Sequence, residues 1–231
     1  MSILLENTRG LSIFDIIGPI MVGPSSSHTA GAVRLGLVAR SIFGEQPQSA
    51  LIELHGSFAE TGRGHGTDRA LVAGLLGLEP SDERIPMSFD LARDCGLHFQ
   101  FQDVDLGESQ HPNTVHFILS SADRKMEITG SSVGGGMITV TRLDGFPVNL
   151  TAEFETLLIV GEDRPGTINA ITARLYEEHI NVAFFNVARD QRGGQAIMII
   201  ETDDTIPAGL VEYFQTFPWV HAVRRILRLK E

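Results

Sequence analysis

The chain has 231 residues, 42% hydrophobic and 20% charged, the balance of a water-soluble globular protein with one large domain or two small ones. Its net charge is -11, and Lys125 and Lys230 are the only lysines among 18 basic residues, which argues against a nucleic-acid or anionic-membrane surface built on clustered positive charge. Cys95 is the single cysteine, so no internal disulfide and no cysteine-rich metal site can form from this chain alone, and no apolar run approaches the ~20 residues that span a bilayer.

The amino-terminal stretch MSILLENTRGLSIFDIIGP carries acids and an arginine where a signal peptide has an uninterrupted apolar core, so the expected location is the cytoplasm. From Thr29 to Phe43 the sequence reads as a nearly all-apolar helix, which should be mostly buried. Its small residues, Ala30, Gly31, Ala32, Gly36 and Ala39, allow close approach of neighbouring backbone, and Gly44 stands where the helix stops. LIELH is a short strand. TDRALVAGLLG is a second helix with Thr67 as N-cap, and Ser88 caps a third across FDLARDC. LHFQFQ alternates with period two, the mark of a half-buried strand. VHFILSS, RKMEITG, MITVTRL and FPVNL then follow as antiparallel hairpins. Residues 1–150 are therefore expected to form an α/β (α+β) domain with a mixed, largely antiparallel sheet.

After a junction at VNLTAEFE the rhythm is cleaner. TLLIVGE is a strand, DRPG a turn, and GTINAITARLYEEH an amphipathic helix with Ile168, Ile171 and Leu175 at helical spacing. If buried, each of the three contributes roughly 1.5–3 kcal/mol before entropy costs. NVAFFNVARD and QAIMIIETD are strands joined by QRGG, PAGLVEYFQTF is a helix with Pro207 in its first turn, and VHAVRRILRL is a last strand. The order βαββαβ over 156–231 is the split-βαβ, ferredoxin-like pattern.

With VGEDRPGTINAI after a strand and Asn181 opening the second strand, this half resembles an ACT domain, the small regulatory module that often binds amino acids in metabolic enzymes. The resemblance implies an effector site between the DxPG turn and a neighbouring copy, at positions matching Asp163, Gly166, Thr167, Asn181 and Val182. A helix N-terminus there offers free N–H groups to a carboxylate. The other reading is a module that only dimerises.

Four stretches of the first half carry groups suited to chemistry. In GPSSSHTAG the hydroxyls of Ser25, Ser26 and Ser27 and the first free N–H groups of a helix share one small volume, able to hold a carboxylate. His28 adds a proton acceptor or donor near neutral pH. A single serine would suffice for a cap, so three before a buried helix point to a site. HGSFAETGRGHGTD places His55 at a strand end and His65 between two glycines before Thr67 and Asp68; a flexible surface loop is the alternative. In QHPNT, Pro112 restricts His111 to extended geometry beside Asn113. SSVGGGM is backbone able to approach another surface, or a glycine bulge.

GPSSSHTAGAVRLG, GHGTD, HPNT and SVGGG, in this order before an ACT domain, resemble the beta chain of bacterial iron–sulfur L-serine dehydratase (L-serine ammonia-lyase) over essentially the entire chain. This region of that family also resembles the substrate-binding-type domain of some D-3-phosphoglycerate dehydrogenases. The resemblance implies loss of water from L-serine, giving an enamine that hydrolyses to pyruvate and ammonia. It also implies a [4Fe–4S] cluster whose open iron acts as Lewis acid on the departing hydroxyl. A cluster takes about four cysteine thiolates, and this chain has one, so a separate cysteine-bearing alpha chain is the expected partner and the metal is not housed here. The implied roles are substrate binding by Ser25, Ser26, Ser27 and Thr29, proton transfer at the α-carbon by His28 or His65, and orientation of the substrate and facing chain by Thr67, Asp68, His111 and Asn113. A homodimer through the ACT domains, or a heterotetramer with the alpha chain, is the expected assembly.

The alternative is a non-catalytic amino-acid-sensing subunit. A pyridoxal enzyme is disfavoured because neither Lys125 nor Lys230 lies in a glycine-rich cofactor setting. A serine hydrolase lacks the G-x-S-x-G elbow, and none of the eight histidines falls in H-E-x-x-H. Cys95 reads as structural, and His98, His116, His179 and His221 as structural or surface residues.

Overall fold

The computed structural model describes residues 19–229; the amino-terminal stretch read for a signal peptide, and Lys230, lie outside them. It is a mixed α+β fold built on two sheets. The first has six strands, β1 (Ser49–His55), β2 (His98–Asp103), β3 (Thr114–Ser120), β4 (Lys125–Gly134), β5 (Met137–Leu143) and β6 (Phe146–Leu150), in the order β2-β1-β3-β4-β5-β6. Only the β1–β2 pair is parallel. That one crossover contains three helices, α2 (Ser57–His65), α3 (Thr67–Leu75) and α4 (Ser88–Asp94). The remaining strands follow one another as hairpins, as the turn-separated apolar segments require.

Helix α1 (Gly31–Phe43) runs through the first core, with Val33, Leu35, Val38, Ile42 and Phe43 each at most 1% exposed. It packs on β4 and β5 and crosses α3 at very close range. A methyl group added at Gly74 would stand 2.1 Å from the Val33 carbonyl oxygen and 2.7 Å from the Gly36 Cα, so the small residues of α1 set the crossing distance. Gly44, at φ 88, ends the helix in the left-handed region.

One local expectation is revised, and one alternative reading is set aside. Thr67 and Ser88 are the first residues of their helices rather than caps, and their hydroxyls donate to distant carbonyls, Thr67 to His28 at 2.9 Å and Ser88 to Arg69 at 2.9 Å. The glycine-rich stretch before Thr67 is a helix, α2, not a loop.

The second sheet comprises β7 (Glu155–Glu162), β8 (Val182–Arg189), β9 (Gln195–Thr202) and β10 (Val220–Ile226), fully antiparallel in the order β10-β7-β9-β8. Helices α5 (Thr167–Glu177) and α6 (Ala208–Gln215) cover one face, where Leu157, Ile159, Met198, Ile200 and Val223 join Ile171, Leu175 and Phe214 in a second core. The alternate residues Leu158, Ile197, Ile199 and Ile226 face the other way and belong to the first core. Burial on both faces is why TLLIV and AIMII are continuous apolar runs rather than alternating ones. Ile168, on the helical stripe of α5, stays 46% exposed. Spacing fixes a side chain's direction, not whether anything lies beneath it in a first turn.

Candidate active site

The segment ahead of α1 is a five-residue π turn, Ser26–Ala30, whose wider winding presents consecutive side chains to one volume. Ser25 is its N-cap: its hydroxyl accepts from the His28 N–H at 3.2 Å and lies 3.5 Å from the Ser27 hydroxyl. The His28 ring points at α2. Its Nε2 is 3.2 Å from Ser57 Oγ and 3.1 Å from Thr61 Oγ1, its Nδ1 is 3.4 Å from Ser27 Oγ, and its edge meets the buried Phe58 ring at 5.3 Å between centroids. His65 closes the group, its ring centroid 4.9 Å from that of His28. Thr29 donates to the His65 carbonyl at 3.3 Å and Thr67 to that of His28, which ties the π turn to the end of α2 and the start of α3.

These contacts select tautomers. The partner of His65 Nδ1 is the Thr61 carbonyl, at 3.1 Å, which can only accept, so Nδ1 carries a hydrogen. Thr61 gives its one hydroxyl hydrogen to the Ser57 carbonyl at 2.9 Å, so toward His28 its oxygen accepts, and His28 Nε2 carries the hydrogen. The lone pair of His28 is then on Nδ1, on the side of Ser27. Burial first, and repulsion from His65 second, push the His28 pKa below its ordinary 6.5, against an opposing hydrogen bond at Ser57. His28 is thus held as the neutral base near pH 7.

The other two motifs join the same structure. The Phe58 N–H donates to the Pro112 carbonyl at 3.4 Å, linking α2 to the loop of His111 and Asn113. His111 Nδ1 accepts from the Asn113 N–H at 3.1 Å, which orients the ring. Asn113 bridges to β4: its carbonyl accepts from the Ser132 N–H at 3.0 Å, and its side-chain amide donates to the Ser132 carbonyl at 3.4 Å. Ser132 in turn lies against Gly31, where a methyl group would stand 2.0 Å from its hydroxyl oxygen. The four motifs therefore form a closed circuit: π turn, α2, His111 loop, β4 and back to the π turn. Its rim is open, with Thr61, His65 and His111 exposed and Ser25 to His28 and Asn113 half-buried. Asp68 lies at the edge, its carboxylate accepting from the Arg69 N–H at 2.8 Å. Ser57 and Thr61 were not singled out from the sequence; the spacing of four that puts both on one face of α2 becomes a signal only once that segment is known to be helical.

A family model described as "Serine dehydratase beta chain" matches residues 12–142, and one described as "ACT domain" matches residues 156–212. The chain belongs to the serine dehydratase beta chain family. It is 42% identical over 215 residues to the probable L-serine dehydratase beta chain of Bacillus subtilis, covering 93% of this chain and 97% of that one. With the L-serine dehydratase beta chain of Peptoniphilus asaccharolyticus it shares 38% identity over 216 residues, 90% of this chain and 97% of the relative. A D-3-phosphoglycerate dehydrogenase of Methanocaldococcus jannaschii is 28% identical over 111 residues, 48% of this chain and 21% of that protein.

In this dehydratase beta chain the donor set does not fit an iron–sulfur cluster. The one thiol, Cys95, is exposed at the end of α4 and donates to the Ala92 carbonyl at 3.4 Å, and among the described residues no three His, Cys, Asp or Glu side chains group as metal ligands. No helix among the described residues is long and apolar enough to cross a membrane.

The ACT positions are distributed differently from the histidine cluster. Asp163 accepts from the Gly193 N–H at 3.0 Å and from Arg189 at 2.7 Å, two hydrogen bonds that hold its carboxyl below the usual range. Gly166, at φ 92, caps α5, and the Thr167 hydroxyl donates to the Arg164 carbonyl at 3.1 Å. Asn181 is bound to Asp203 and Asp204, and Val182 opens β8 opposite Thr202. Because Glu162 pairs with Gln195 and Val182 with Thr202, the two groups sit at opposite ends of β9, roughly 20 Å apart. One copy does not bring them together.

Proposed function

We propose that this chain is the beta subunit of L-serine dehydratase, deaminating L-serine to pyruvate and ammonia with a cysteine-bearing alpha chain that supplies the [4Fe–4S] cluster. The observation that carries the reading is the circuit of four motifs around the His28 and His65 pair, open on one rim for another subunit to cover. In this proposal Ser25, Ser26, Ser27 and Thr29 bind the amino acid's polar groups at the head of α1, where free N–H groups favour a carboxylate. His28, kept neutral with its lone pair on Nδ1 toward Ser27, accepts the α-proton. His65, its ring beside that of His28, adds to the burial that disfavours the charged form. Thr67 fixes the His28 backbone, Asp68 stands at the rim, and His111 and Asn113 face the partner chain. Residues 1–150 form the dehydratase unit and 156–231 the ACT unit, placed in the cytoplasm. The ACT unit takes an amino acid between two copies, because Asp163, Gly166 and Thr167 of one chain need Asn181 and Val182 of another.

The test is replacement of His28 and His65 by alanine, singly, in the reconstituted two-chain enzyme. The expected result is a loss of pyruvate formation from serine of about a hundredfold or more for His28→Ala, in line with loss of a general base. Turnover near wild type in His28→Ala would refute its proton-transfer role, and near wild type in both variants would favour the amino-acid-sensing alternative.

A further inference from the structure

A cleft of about 440 Å³ opens at the other end of α1, within the range of about 300–1,000 Å³ usual for small-ligand sites. Its walls are Arg40, Ser41, Gly44 and Glu45 from the first half and Gln215, Val223, Arg224, Arg225 and Leu227 from the second. The thirteen residues of α1 separate it from His28 by roughly 20 Å.

Its charge is unusual for a chain of net -11. Arg225 is neutralised by Glu155, at 2.9 and 3.4 Å. Arg124, next to the cleft, caps the Phe43 carbonyl at the end of α1 and pairs with Glu45 at 3.5 Å, and so meets the demand of that helix end for a cation. Arg40 and Arg224 remain. Arg40 Nε donates to an amide, Gln46, at 3.2 Å, and among the described residues neither arginine makes an ion pair with a carboxylate. Arg224 lies across Gly44, where a methyl group would stand 2.1 Å from its Nε. That Nε is buried with no hydrogen-bond partner. Burial, and then the charge of Arg124, lower the Arg224 pKa, and Glu45 only partly offsets them. Arg224 Nη1 donates to the Val223 carbonyl at 2.8 Å, so two guanidiniums without an ion pair of their own line one cleft, where the lining carboxylate, Glu45, is already paired with Arg124.

We propose that this cleft binds a small dianion, phosphate or a phosphate monoester, with Arg40 and Arg224 as its ligands. Arg40 belongs to α1 and Arg224 to β10, so the anion cross-links the dehydratase and ACT halves, and α1 joins the cleft directly to the turn that carries His28. This site is independent of the reaction assigned above.

Calorimetric titration of the full chain with inorganic phosphate and with glycerol 3-phosphate, at constant ionic strength set by chloride, tests it. Saturable binding of one anion per chain is expected, weakened about tenfold in Arg40→Gln and in Arg224→Gln, as for loss of one charge-assisted contact. Arg93→Gln, on the exposed face of α4, should bind as wild type. Should Arg224→Gln fail to fold, because its side chain packs on Gly44, Arg40→Gln decides. Tighter binding of the ester assigns a phosphate monoester, and equal affinities assign free phosphate. No heat of binding with either anion, or unchanged affinity in the folded variants, overturns the proposal.

Discussion

Gly31→Ala is the most direct probe of the contact that closes the circuit. The new methyl group would meet Ser132 Oγ at 2.0 Å and Ser132 Cβ at 2.8 Å, whereas ordinary contact begins near 3.4 Å. Ser132 is fully buried in β4, and its backbone is held by Asn113 on one side and Ile138 on the other, so the strand cannot yield. The π turn must move by about an ångström instead, at a cost of about 1–3 kcal/mol for overpacking. For a chain of this size that lowers the melting midpoint by about 2–4 °C per kcal/mol. Displacing His28 by the same ångström should reduce turnover in the reconstituted enzyme about a hundredfold. Ser132→Ala alone removes a buried hydroxyl that has no partner, so it should be neutral or stabilising. As a second change it rescues Gly31→Ala only in part, because the 2.8 Å contact with Cβ persists; Ser132→Gly removes both contacts and should restore most of the midpoint. A Gly31→Ala protein as stable as wild type, or one that Ser132→Gly does not rescue, would refute the reasoning.

Two further outcomes are expected. Because the folded chain resists protonating His28 while the unfolded chain takes up a proton near 6.5, the unfolded state binds more protons just below that pH, and stability should fall as pH drops through 6.5. Histidine NMR should show His28 titrating below 6.5, and His65→Asn should raise that midpoint only partly, since burial is the larger cause; a midpoint at or above 6.5 contradicts this. If the proposed two-chain assignment holds, Cys95→Ser should leave both the iron content and the activity of the reconstituted protein unchanged, because the one thiol is exposed and no metal-ligand group forms among the described residues; lost iron would refute this.

Periodicity and punctuation in the chain were enough for most of the architecture. MITVTRL and FPVNL are β5 and β6 to the residue, Gly44 ends α1, and the βαββαβ order of the second half is as read. These features are local: hydrogen-bonded periods of 2 and 3.6 and left-handed glycines leave their mark within a few residues. Helix α2 escaped because Gly62, Gly64 and Gly66 mimic a loop; packing of Phe58 and Gly62 into the interior overrides their poor propensity.

The sequence by itself determined which chemistry is available: three serines, two histidines at helix ends, one thiol, and an acidic chain with two lysines. Only the tertiary structure decided how those groups are used. That Nε2 of His28 lies between Ser57 and Thr61, that Ser132 underlies Gly31, and that Arg40 and Arg224 share one cleft are facts about residues 29 to 184 positions apart. Contacts at that separation come from how helices cross and strands register, which no short window of sequence encodes.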